Sequence, residues 1–129
     1  MMSERAQACF AKYRENLTLA QRMEEQLPDN KGWNCVVRFY AAVHLVNAYI
    51  IDKSHIRFDP ALAEHTERKR AMDHCPELRD APKRYRQLKD ISEAVRYDAG
   101  FKYTHENDRD AKALFEKVVA IVEPKLKKA

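Results

Sequence analysis

The chain has 129 residues, 45% of them hydrophobic and 34% charged, with two glycines and a formal charge of +4. That length holds one domain (1–129) around one core, the apolar content excludes a disordered chain, and so few glycines argue against hairpin-rich sandwiches and barrels. The 24 basic and 20 acidic residues are intermixed, so no basic tail marks a dedicated nucleic-acid binder, although contact with phosphate is permitted.

Ala6, Phe10, Tyr13, Leu17, Ala20, Met23 and Leu27 step by three or four residues. This spacing predicts a helix after Ser3, with Ser3 as N-cap and the stretch from Pro28 to Gly32 as its break. The next segment, Trp33 to Asp52, carries two apolar rows. Val36, Phe39, Val43, Val46 and Ile50 form one; Val37, Tyr40, His44 and Ile51 form the other. A helix with two such rows packs against several neighbours and belongs at the centre. Its longest apolar run, Ala41 to Ile51, is interrupted by His44 and Asn47 and is too short to span a bilayer.

A short helix is predicted between Pro60 and His74, either capped by Asp59 with Pro60 first or beginning nearer His65. A fourth runs from about Ala81 to Tyr97, with Tyr85, Leu88, Ser92 and Val95 on one face, and Asp98-Ala99-Gly100 ends it. The last follows Asn107, and Pro124 should kink or terminate it. The expected fold is therefore all-α: a four-helix up-and-down bundle with one additional short helix. Cys9, Cys35 and Cys75 are odd in number and contain no CxxC. With no basic-then-apolar leader legible at the first residues, they read as reduced thiols of a cytoplasmic protein, with no membrane partner.

Three polar constellations interrupt this pattern. Tyr40, His44 and Asn47 share one side of the apolar second helix. Unpaired buried polar groups cost about 1–3 kcal/mol each, so these either form an internal hydrogen-bond network or line a polar pocket. His65 and Arg68 are three apart and point the same way on a helix, a donor fork for phosphate beside a group that titrates near neutral pH. A helix start at His65 would add backbone N–H groups to that anion site. The bland account has Arg68 paired with an acid and His65 packed or capping. At the end of the fourth helix, Tyr97 either turns inward while Asp98 orients a His or Arg, or covers the core beside a solvated Arg96 and Asp98. A basic stretch, Arg79, Lys83, Arg84, Arg86 and Lys89 against Asp80 alone, forms either a phosphate-facing or an ordinary solvated face. Tyr85, within it, reads as core.

Taken in order, Phe39-Tyr40-Ala41-Ala42-Val43-His44 through Asn47, then His65-x-x-Arg68, then Ser92-x-x-Val95-Arg96-Tyr97-Asp98 resemble a prokaryotic branch of the HEPN superfamily over roughly Trp33 to Asp98. The resemblance implies a HEPN-like helical bundle, a homodimer, and a setting in toxin–antitoxin or antiviral systems. Some members of that superfamily are metal-independent ribonucleases whose catalytic groups face each other across the dimer. Others are non-catalytic and bind nucleotides or assist a nucleotidyltransferase partner protein. The ribonuclease branch carries an Arg and a His separated by four to six residues, which Arg38 to His44 and Arg68 to His74 both fit with five between. On one regular helix such a spacing leaves the two side chains about 120° and about 9 Å apart.

The leading expectation is a module that binds nucleotide or RNA phosphate. Arg68 is its phosphate fork, His65 a donor, and His44 and Tyr97 are pocket walls, with Tyr40, Asn47 and Asp98 completing the ligand set. The alternatives are a metal-independent endoribonuclease using His44, His65 and Arg68, and a dimerisation or adaptor protein in which the His–Arg cluster is structural. No Glu-x-x-His pair, zinc-finger spacing, P-loop or dinucleotide fingerprint occurs, so no metal or cofactor is expected.

Overall fold

The computed structural model describes residues 2–53, 58–60 and 64–127 of the chain. The described residues form a helical bundle of α1 (Glu4–Gln26), α2 (Lys31–Lys53), α3 (His65–Asp73), α4 (Ala81–Tyr97) and α5 (His105–Lys127), with a 3-10 turn at Pro76–Leu78 between α3 and α4. No strand occurs among them.

Ser3 caps α1 as its position predicts, its Oγ accepting from the Ala6 N–H at 3.2 Å. The stripe it opens buries Ala6, Tyr13 and Ala20. The two apolar rows of α2 leave almost no open side. Phe39, Leu45 and Ile50 are fully buried, and the helix packs against α1, α3, α4 and α5. Full burial of such a side chain contributes roughly 1.5–3 kcal/mol. At 23 residues α2 is long and apolar enough to cross a bilayer, unlike the shorter run within it, but 78% of its most apolar 18 residues are buried within the protein.

Hydrogen bonds between helices fix how they pair. Ser3 N–H donates to Asp52 at 3.0 Å, and Asn34 donates to the Ala20 carbonyl at 2.6 Å, so α1 lies antiparallel on α2. Tyr13 donates to Glu123 at 2.9 Å, while Lys112 and Glu24 form an ion pair near the other end of α1.

The helix ends correct several expectations. Gly32 belongs to the first turn of α2 rather than to the break. A Cβ there would lie 3.3 Å from Val95 and 3.6 Å from Tyr103, so the bare backbone admits the end of α4. The N-cap of α3 is Glu64, not Asp59, which faces Arg5 at 3.7 Å, and Pro60 lies in a turn. Residues 61–63, on which a start at Pro60 depends, lie outside the described residues. The fifth helix starts at His105, three residues earlier than a start after Asn107. There Thr104 and Asn107 exchange capping bonds at 2.9 and 3.1 Å. Pro124 does not terminate α5. Lys125 Nζ donates to the Ile121 carbonyl at 2.9 Å, one of the acceptors that the proline ring disturbs. No disulfide joins Cys9, Cys35 and Cys75.

Candidate functional site

The start of α3 and the first half of α4 form the walls of a cleft of about 560 Å³. From α3 it receives Glu64, His65, Thr66, Arg68 and Lys69; from α4, Tyr85, Arg86 and Lys89. Four of these are cations and one is an acid. His65 is the first residue of α3, and the Glu64 side chain makes no capping bond, so the first-turn N–H groups stand at the cleft without a side-chain acceptor from the cap. The Glu64 carbonyl accepts from Glu67 and Arg68, both at 3.1 Å.

Arg68 is 7% exposed. Its Nε donates to Asn47 Oδ1 at 2.7 Å and its Nη2 to the Pro60 carbonyl at 3.4 Å. Its charge acts on the Tyr85 hydroxyl, which lies 3.1 Å from His65 Nδ1. Burial pushes the Tyr85 phenol well up, so it stays protonated beside the imidazole. Asn47 with Arg68, and Tyr85 with His65, thus form two bonded pairs at the cleft, with the Arg68 charge acting on both His65 and Tyr85. Lys69 keeps Asp73 at 2.9 Å and Lys89 keeps Glu93 at 3.3 Å. Such partly exposed i,i+4 pairs contribute only about 0.3–0.5 kcal/mol, so a phosphate can displace either carboxylate.

The remaining sequence-predicted residues are distributed around this cleft, not gathered in it. Tyr40, His44 and Asn47 are each met by a different helix. The Tyr40 hydroxyl accepts from Arg96 Nη1 at 2.8 Å, Asn47 bonds Arg68, and half-buried His44 faces Lys12 and Glu15 of α1 with the charge of Arg68 behind it. Tyr97 turns outward and is 77% exposed. Asp98 accepts from the Gly100 N–H at 3.0 Å in the turn that ends α4, and orients no His or Arg. Arg96 is partly buried, sitting over the rings of Phe39, Tyr40 and Tyr97.

Neither Arg–His spacing closes within the chain. Arg38 is tied to Asn34 and to Glu24 at 2.9 Å, in an ionic cluster with Lys112 and Asp108, away from His44. His74 is exposed at the end of α3, its Nδ1 3.0 Å from the Arg70 carbonyl. The basic stretch of α4 divides: Arg86 and Lys89 face the cleft, while Arg84 bonds Asp80 at 3.1 Å. Tyr85 and Lys89, the far wall of the site, were not singled out by the spacing of the His65–Arg68 pair, because nothing local says which helix covers it. Among the described residues no group of three or more His, Cys, Asp and Glu side chains converges.

Burial first, and then the charge of Arg68, holds both His44 and His65 below the ordinary imidazole range. The unfolded chain therefore binds more protons than the folded one as pH falls through about 6.5, and stability rises with pH across that window. Urea unfolding between pH 7 and pH 5 should show this loss on acidification, and a His44→Gln/His65→Gln variant should flatten the slope. An unchanged slope would mean that other groups carry it.

Comparison with family models, with curated proteins and with solved structures found no match to this chain.

Proposed function

We propose that the chain is a HEPN-like protein, a four-helix up-and-down bundle with α3 as the additional short helix, that binds the phosphate of a nucleotide or of RNA between α3 and α4. The topology is supported by opposed pairings. Ser3 meets Asp52 while Ala20 meets Asn34; Gly32 lies against Val95 while Phe39 lies against Tyr85; Tyr13 meets Glu123 while Glu24 meets Lys112. The site is carried by one observation. Arg68, Lys69, Arg86 and Lys89 line a single cleft that opens at the first residue of α3. Helix N–H groups and cations on facing walls form a field that favours an anion. By resemblance, the reading extends to a cytoplasmic homodimer with a nucleotidyltransferase-type partner in a defence or toxin–antitoxin setting. The endoribonuclease alternative has less support: His65 and Arg68 share the cleft, but His44 faces α1, and neither Arg-x4–6-His spacing closes within one chain.

Filter binding of labelled single-stranded RNA at increasing salt tests the reading. An Arg86→Ala/Lys89→Ala variant should bind about tenfold more weakly, and its log–log salt slope should be shallower by about two phosphate contacts. Wild-type protein that binds neither RNA nor mononucleotide at low salt would overturn it.

A further inference from the structure

The functional surface does not end at Lys89. One turn further along α4 lies Glu93, and beyond it Arg96, whose guanidinium carbon is 5.8 Å from the Phe39 ring centre, 5.4 Å from that of Tyr40 and 5.0 Å from that of Tyr97. Two hydrogen bonds hold this guanidinium: Nη1 to the Tyr40 hydroxyl at 2.8 Å and Nε to the Ser92 carbonyl at 3.3 Å. Phe39 joins the cluster to the cleft, its ring centre 5.3 Å from that of His65. Tyr40 and Tyr97 are nonetheless 38% and 77% exposed. Tyr97 is therefore a ring braced by a fixed cation and otherwise open to solvent, which is the geometry of a stacking surface and not of a core residue.

We propose that Tyr97, braced by Arg96, stacks a base of a single-stranded oligonucleotide whose backbone phosphate occupies the α3–α4 cleft. The proposal rests on the phosphate-binding reading of that cleft and specifies its ligand as a strand, not an isolated phosphate. Charge decides what lies where. Cations line the cleft, whereas the Glu93 carboxylate, 3.3 Å from Lys89, stands between cleft and ledge and disfavours a second phosphate there. A neutral base meets no such repulsion. Stacking on an aromatic face tolerates every base, and a ring already held in place loses little freedom on binding.

Fluorescence anisotropy with two labelled probes tests this: a short oligouridylate, and a strand of equal length and phosphate count built from abasic ribose units. Tyr97→Ala should weaken oligouridylate binding about tenfold and leave the abasic strand unchanged, while Tyr97→Phe keeps wild-type affinity for both. The exposed position makes Tyr97→Ala compatible with folding, which an unchanged melting midpoint verifies. Unchanged oligouridylate affinity in Tyr97→Ala, or equal loss on both probes, overturns the stacking proposal. In either case the phosphate reading of the cleft stands if Arg86→Ala/Lys89→Ala weakens both probes. A wild-type protein that binds neither probe overturns both.

Discussion

Phe39→Ala is expected to lower stability by about 3–5 kcal/mol, shifting the thermal midpoint by about 10–20 °C for a domain of this size. The ring is fully buried, and the centres of His65, Tyr85 and Tyr40 lie 5.3, 5.5 and 5.6 Å from its own. The cavity left by its removal cannot close, because α2 is held on its other sides by α1 and α5. The same substitution reaches the site. His65 on the cleft wall and Arg96 beside the exposed tyrosines both rest on this ring, so RNA affinity should fall even at temperatures where the variant is folded. Val118→Ala, at an equally buried position of α5, separates the two effects: it should destabilise without weakening binding. A Phe39→Ala protein that loses less than about 1 kcal/mol, or that binds RNA as wild type does, would remove Phe39 as the support of the site.

Why Phe39 matters also shows what the chain makes legible and what it hides. Its place in an apolar row of α2 follows from spacing alone, as do the buried stripe of α1 and the bounds of α4 at Ala81 and Tyr97, because periodicity is a local property. The His65–Arg68 pair is legible for the same reason: three residues on one helix put both side chains on one side. What stands opposite is not local. Tyr85 reads as a core residue, and only the docking of α4 on α2 and α3 brings its hydroxyl to His65 and Arg68. Arg96 reads as a solvated charge, and only the packing of Tyr40 beneath it makes it a fixed cation. Tyr40, His44 and Asn47 show the limit most clearly. Their spacing correctly assigns them one side of α2, but α4, α1 and α3 each cover a different one of the three. Gly32 and Pro124 mislead in the other direction. Both look like breaks, yet both lie inside helices.

The bond between Arg68 and Asn47 separates structural from functional roles of the cleft. Asn47 is 3% exposed, and its Oδ1 meets Arg68 Nε at 2.7 Å. Asn47→Leu keeps the volume but strands a buried guanidinium donor, and should cost about 2–4 kcal/mol in urea unfolding. Arg68→Met removes the charge and leaves acceptors unmet instead, at about 1–3 kcal/mol. The double variant should lose less than the two together, by about 1–2 kcal/mol, because each single change leaves a partner that the other removes. Additive losses would mean that the bond contributes nothing of its own. Asn47→Asp isolates the charge. A carboxylate accepts the same bond, so the fold should persist, but it neutralises the one cation buried in the cleft. RNA affinity should then fall about tenfold while the melting midpoint stays near or above that of wild type. Full affinity in Asn47→Asp would assign Arg68 to the scaffold alone and leave phosphate to Lys69, Arg86, Lys89 and the start of α3.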